Sequence, residues 1–206
     1  MVAALVLAAG ESTRMGVPKA LLPVSEGRPF VATIVRTLTA ADVAPVVVVT
    51  GGQHSAVVDA LAADRLAVQP LVVRNEDPSR GQLSSIWTGL EAVARPELEA
   101  LLVTLVDIPM FRVETVRSVV EQWRLTGAPI VRPAVGPRHG HPVLFDRGVF
   151  DALRRAPLAE GAKAVLREYA ERVVDVQVDD PGCVEDVDTP EEYRALIDRT
   201  RSTRPG

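Results

Sequence analysis

One cysteine, Cys183, is all that the 206-residue chain contains. A single thiol makes no intrachain disulfide and assembles no thiolate zinc site. It reads as an inert, packed thiol, because a reactive one needs an electropositive setting. Aromatic residues are scarce at 4%, so the core is left to Val, Leu, Ala and Ile. No apolar run approaches the roughly 20 residues of a membrane helix. The start, residues 1–10, lacks the basic flank of a signal peptide and reads as the first buried strand of a cytoplasmic protein. A basic surplus is missing too. The net charge is −4 and the pI about 5.5, which speaks against broad binding to nucleic acid. A local basic loop can still hold a small anion against that global sign. With 47% hydrophobic and 24% charged residues the composition is globular. The length suits one domain over residues 1–206, with a solvated tail from about residue 200.

Short apolar runs alternate with longer amphipathic stretches. Strands are expected at residues 2–7, 46–50, 70–74 and 101–106, with another beginning at 130–131. Helices are expected at 30–41, 54–63, 83–94 and 113–123. The strands are apolar on both faces, as when helices cover both sides of a parallel sheet. The pattern predicts an α/β fold: a single Rossmann-like, three-layer domain with a mostly parallel central sheet. After Pro133 the pattern loosens. Strands are expected at 142–145 and 173–178 and helices at 149–155 and 162–170. Helix 191–199 closes the chain, with Thr189 as N-cap and Pro190 in the first turn. Trp87 and Trp123 read as core, and Asp179 and Asp180 as turn residues before Pro181-Gly182.

The informative stretch follows the first strand: Leu7-Ala8-Ala9-Gly10-Glu11-Ser12-Thr13-Arg14-Met15-Gly16-Val17-Pro18-Lys19. Gly10 and Gly16 let the backbone bend where a side chain would obstruct a phosphate. Ser12 and Thr13 offer hydroxyls, and Arg14 and Lys19 two positive charges. Backbone amides with two cations make an apt receptor for a triphosphate. The run is not a P-loop, since the glycines are one residue too far apart and no lysine follows directly. Nor is it the Gly-x-Gly-x-x-Gly dinucleotide fingerprint.

This run resembles the signature of nucleotidyltransferases with the nucleotide-diphospho-sugar transferase fold. It is most similar to the branch that transfers a nucleotide to molybdopterin. The resemblance continues at Asn75-Glu76-Asp77-Pro78-Ser79-Arg80-Gly81-Gln82-Leu83-Ser84-Ser85, at Asp107-Ile108-Pro109, at Gly140-His141-Pro142, at 161–167 and at Asp186-Val187-Asp188-Thr189-Pro190. The guanylyl branch typically has Leu-Ala-Gly-Gly where this chain has Leu7-Ala8-Ala9-Gly10, so the cytidylyl branch fits better. Two departures stand near the site: Val106 where that branch usually has glycine, and Ile108 where a polar residue or methionine is common.

The resemblance implies a Mg²⁺-dependent enzyme that transfers CMP from CTP, favoured over GTP, to molybdopterin with release of pyrophosphate. It implies metal ligation by Asp107 and Asp188, two carboxylates from distant segments that can share one Mg²⁺ against phosphate oxygens. Arg14, Lys19 and Asp107 would act catalytically. Leu7, Ala8, Ala9, Gly10, Ser12, Arg14, Gly16, Lys19, Asn75, Gly81, Ser84 and Ser85 would hold the nucleotide. Gly140 and His141 would face the acceptor. Other readings stay open at single residues: Ser84 or Ser85 as helix caps, His141 as a packed histidine, Asp186 as a solvated charge. Other functions stay open too. The acceptor could be another phosphorylated small molecule, such as a sugar 1-phosphate or phospholactate. A silent nucleotide-binding assembly factor for a molybdenum hydroxylase is the alternative outside catalysis, against which the intact Arg14, Lys19, Asp107 and Asp188 argue.

Overall fold

A computed structural model of the chain describes residues 1–10, 15–24 and 27–202. One sheet runs through it in the order β3-β2-β1-β4-β7-β5-β6, with β8 on the other edge of β5. The strands are β1 Val2–Ala8, β2 Val46–Thr50, β3 Leu71–Arg74, β4 Ala100–Leu105, β5 Ile130–Val135, β6 Arg138–His139, β7 Val143–Asp146 and β8 Val173–Gln177. The helices are α1 Phe30–Ala40, α2 His54–Ala63, α3 Gln82–Val93, α4 Val113–Thr126, α5 Phe150–Arg155, α6 Ala162–Glu168 and α7 Pro190–Ser202. Strands β1 to β4 pair in parallel. Strand β7 lies antiparallel between β4 and β5, and β6 is antiparallel to β5. The sheet is therefore mostly parallel, as expected.

The side chains of β1 sort by parity into two cores. Ala4 and Val6 pack with α1, α2 and α4, while Ala3, Leu5 and Leu7 pack with α3, α5 and α6. That division is the pleat of a strand buried on both faces, and it makes the predicted three layers. A smaller cluster of Leu22, Val24, Phe30, Val187 and Leu196 seats α7 against the segment that follows Lys19.

The expected elements are all present; β6 is additional, α6 ends at Glu168 short of the expected 170, and four further differences stand out. Helix α4 runs to Thr126, three residues past the expected end, and stops where Gly127 takes φ 62°. Helix α7 continues through Ser202, so residues 200–202 belong to it; residues 203–206 lie outside the described residues. Trp87 and Trp123 are only partly buried, and their indole N–H groups donate to the Leu153 carbonyl at 2.8 Å and to Asp146 Oδ2 at 3.0 Å. Asp180 is not a simple turn residue. It is buried and accepts from the Arg112 amide at 2.8 Å and from Thr115 Oγ1 at 2.5 Å.

Candidate active site

Strands β1 and β4 are neighbours, but the chain goes on from β1 to β2 towards one edge of the sheet and from β4 to β5 towards the other, with α1 and α4 on the same face. Such a reversal opens a crevice at the carboxyl ends of the strands. A cleft of about 240 Å³ lies there, lined by Leu7, Ala9 and Gly10 from the end of β1, Lys19, Pro78, Gly81, Gln82 and Ser85 around the start of α3, and Leu105, Val106 and Asp107 from the end of β4. A Cβ at Gly10 would meet no described atom within 4 Å, so its bareness leaves open space in the cleft. Gly81 has φ 92° and Gly16 φ 68°, backbone values that favour glycine.

Lys19 begins a short 3-10 turn, Lys19–Leu21, after Pro18. Its Nζ is 3.2 Å from Asp107 Oδ2 and also donates to Asp188 Oδ1. Two carboxylates, the farther one 169 positions along the chain, thus share one ammonium. Burial pulls the Lys19 pKa down, but the bonds and charges of Asp188 and Asp107 outweigh it, and the net result is raised above the ordinary lysine value. The side chains are 12%, 24% and 37% exposed for Lys19, Asp107 and Asp188, so the cluster stands at the boundary of the protein and reachable by a ligand. Asp107 Oδ1 is buried and has no hydrogen-bond partner among the described residues. A bare buried carboxylate oxygen is costly, and a cation would relieve it. The pair therefore fits a divalent ion. Among the described residues no group of three or more His, Cys, Asp or Glu could hold a metal. Two carboxylates leave the remaining positions of an octahedral ion to phosphate oxygens and water.

The loop before α3 has a buried framework. Asn75 Nδ2 donates to Ser84 Oγ at 2.8 Å and to Ser85 Oγ at 3.0 Å, and Asn75 Oδ1 accepts from the Asp77 amide at 3.1 Å. Ser84 Oγ in turn donates to the Gly81 carbonyl at 2.7 Å. Asn75 and Ser84, expected on the nucleotide, stand behind the wall of the cleft, and only Gly81 and Ser85 of the four lie on it. Neither serine caps α3, whose N-cap Gly81 makes no side-chain bond. Ala8 is likewise buried in the end of β1. Gly16, Gly140, His141 and Asp188 are outside the lining of this cleft. His141 is tied by its amide to the Cys183 carbonyl at 2.8 Å, and its Nδ1 is 3.3 Å from the Val103 carbonyl. Burial lowers its pKa below the usual histidine value, against weaker opposing pulls from Val103 and Asp107. It therefore stands neutral beside Asp107 near neutral pH. Ser12 and Arg14 lie outside the described residues. Pro78, Gln82 and Leu105 line the cleft beyond the residues expected on the nucleotide, and so does Val106, the departure noted near the site. Gln82 had a signal available, its position inside the Gly81-to-Ser85 run. Leu105 offered none beyond its place at the end of the strand before Asp107.

A sheet of this order, with a cationic and acidic cluster at its switch point, defines a nucleotide-handling α/β enzyme. The model of the MobA-like NTP transferase domain matches residues 4–173, and the chain belongs to that family. It is a nucleotidyltransferase. The match ends before Asp188, so the place of Asp188 rests on the geometry above. The chain is 34% identical over 205 residues to a nicotine blue oxidoreductase of Paenarthrobacter nicotinovorans, covering 95% of this chain and 96% of that one. It is 33% identical over 140 residues to a probable molybdenum cofactor guanylyltransferase of Mycobacterium tuberculosis, covering 66% of this chain and 64% of the relative. Among solved structures, Rv0371c of M. tuberculosis superimposes with a TM-score of 0.77 at 32% identity over 96% of this chain and 97% of that one. The same relative has also been solved in complex with manganese, with a TM-score of 0.74 at 29% identity over 96% and 97% of the two chains. No helix among the described residues is long and apolar enough to cross a membrane.

Proposed function

We propose that the chain transfers the nucleotidyl group of CTP to the phosphate monoester of a molybdopterin-type acceptor, with Mg²⁺ as the divalent ion. One observation carries the reading: Lys19 and Asp107 line a cleft bounded by Gly10 and Gly81, and Lys19 joins Asp107 to Asp188 beside it. In the reaction an oxygen of the acceptor phosphate forms a bond to the α-phosphorus. The bond from that phosphorus to the bridging oxygen breaks, and pyrophosphate leaves with the electron pair. The nucleophile is already ionised near neutral pH, so no general base is needed. The chain's part is positioning and charge stabilisation. Asp107 and Asp188 would hold the ion, which supplies polarisation of the phosphate oxygens when bound. Lys19, with Arg14, would offset charge on the triphosphate and on the departing pyrophosphate. Gly10 and Gly81 let backbone approach the nucleotide, and Ser85 offers a hydroxyl at its edge. Gly140 and His141 would face the acceptor.

CTP is favoured because Ala9 puts a methyl group on the cleft where the guanylyl branch typically has a bare glycine, which suits the smaller base. The M. tuberculosis relative named a guanylyltransferase makes GTP the competing nucleotide. The test is pyrophosphate release with a panel of triphosphates against molybdopterin and other phosphorylated acceptors. CTP with molybdopterin should turn over fastest, and Ala9→Gly should move preference towards GTP. Lys19→Ala should lower kcat by about 10²–10³-fold, by analogy with loss of one preorganised charge-stabilising donor. Turnover unchanged in Lys19→Ala would remove the role assigned to the ammonium.

The relative that aligns over nearly the whole chain is named an oxidoreductase, and it motivates a second reading, redox chemistry on an aromatic acceptor. Cys183 cannot supply the electrons as a thiolate, since burial pushes its pKa up to about 11. An added two-electron reductant would have to bring them. Bleaching of nicotine blue with that reductant, and no pyrophosphate release with any triphosphate, would replace the first reading by the second.

A further inference from the structure

Asp188 reaches Lys19 from a segment, residues 180–188, whose only regular piece is the 3-10 turn Pro181–Cys183. An irregular segment holds a carboxylate in place only through its anchors. Three anchors tie it to the stretch that carries Asp107 into α4. Asp180 Oδ2 accepts from the Arg112 amide at 2.8 Å and from Thr115 Oγ1 at 2.5 Å. It thereby closes the N-terminus of α4, which has no side-chain cap of its own. Gly182 lies directly on the backbone of Met110: a Cβ there would come within 2.3 Å of the Met110 carbonyl oxygen. The Val187 amide donates to the Asp107 carbonyl at 2.9 Å. Two stretches, 107–112 and 180–188, are laced side by side, with Asp180 at one end of the lacing and the two outward carboxylates at the other.

We propose that Asp180 is a positioning residue that sets the separation of the Asp107 and Asp188 carboxylates, and with it the affinity for a divalent cation. The inference rests on the metal-binding reading above. Asp180 is buried, with Oδ2 taken by the Arg112 amide and Thr115 and Oδ1 3.8 Å from Arg112 Nε, so it acts through the segment it anchors. Groups one step behind metal ligands typically change metal affinity by about 10–100-fold when removed.

The probe is Mn²⁺ alone, titrated into the full chain and followed by electron paramagnetic resonance, with melting recorded on the same samples. Asp180→Ala should raise the Mn²⁺ dissociation constant about tenfold. Asp180→Asn keeps an acceptor for the Arg112 amide and should fall between Asp180→Ala and the unaltered chain. Thr115→Val should shift affinity in the same direction by less. In turnover assays the metal concentration for half-activity should rise while kcat at saturating metal stays within a few-fold. Asp146→Ala is the control. Asp146 accepts from Trp123 Nε1 at 3.0 Å and from the Gly148 amide at 2.8 Å at the opposite end of the sheet. Its loss should lower the melting temperature without changing Mn²⁺ affinity. If Asp180→Ala does not fold, Asp180→Asn and Thr115→Val carry the test. Folded Asp180 and Thr115 variants that bind Mn²⁺ like the unaltered chain would overturn the proposal, as would equal weakening by Asp146→Ala. Unchanged Mn²⁺ affinity in Asp107→Ala would instead fell the metal reading, which is a separate failure.

Discussion

Asp180 and Asp188 are eight positions apart and their clusters follow opposite rules. Asp180 is buried, and one of its oxygens takes two hydrogen bonds. Asp188 and its partner Asp107 are part-exposed, share one ammonium, and leave Asp107 Oδ1 buried without a hydrogen-bond partner among the described residues. A satisfied buried carboxylate stabilises the fold it sits in. A carboxylate left short of partners costs stability, and that cost persists where a ligand supplies what is missing. Across two adjoining loops, the state of the oxygens at Asp180 and at Asp107 separates scaffold from chemistry.

The sharpest way to break this contrast is Asp107→Asn. Turnover should fall by about 10²–10³-fold, as when a preorganised charge is lost from a reacting centre. The melting temperature should hold or rise, because the amide relieves Asp107 Oδ1, which has no hydrogen-bond partner among the described residues, while Asp188 keeps the Lys19 ammonium paired. A clear loss of stability in Asp107→Asn would place Asp107 with Asp180 as scaffold.

A smaller effect is expected at the start of α7, next to Asp188. Thr189 Oγ1 accepts from the Glu192 amide at 3.3 Å, and Glu192 Oε2 accepts from the amides of Asp188 and Thr189 at 2.7 and 2.8 Å. These reciprocal bonds form a capping box, and the backbone amides of Asp188 and Thr189 hold the Glu192 pKa below the usual carboxylate value. Thr189→Ala should cost about 1 kcal/mol in denaturant unfolding. Its effect on turnover should be less than that of Asp107→Asn. A loss of turnover as large would mean that the cap itself positions Asp188.

The smallest effect concerns acid. His141 is held neutral by burial, with a pKa below its unfolded value. As the pH falls below about 6.5, the unfolded chain takes the proton first. Stability is therefore lost from there down to the lower, folded-state pKa, and is fully present above it. His141→Gln should flatten that acid slope, read from melting temperatures at about pH 7.5 and about pH 5.5. An unchanged slope would mean that His141 titrates freely.

Much of this molecule is legible from residue order, for a definite reason. Runs such as Val46–Val49, apolar at every position, fit a strand covered on both faces, and β2 is buried throughout. The start of α7 was readable from Thr189 and Pro190, and the Glu192 half of its cap was available at the same spacing but not taken up. The glycine-bearing run after β1 and the later motifs were readable through resemblance to a family, and Lys19, Gly10, Gly81, Ser85 and Asp107 do converge on one cleft. Asn75 and Ser84 belong to the same motif yet stand behind it, because a motif does not say which of its side chains face outwards.

The amino-acid order by itself determined the layers, through local periodicity, and the charges available, through which side chains are present; the class of enzyme was legible in it only through motifs that resemble a known family. Folding alone decided that β7 enters antiparallel between β4 and β5, that Asp180 closes a helix 68 positions away, and that Lys19 meets Asp188 across 169 positions. Such pairings depend on how distant segments pack, and packing is a property of the whole chain that no local pattern encodes.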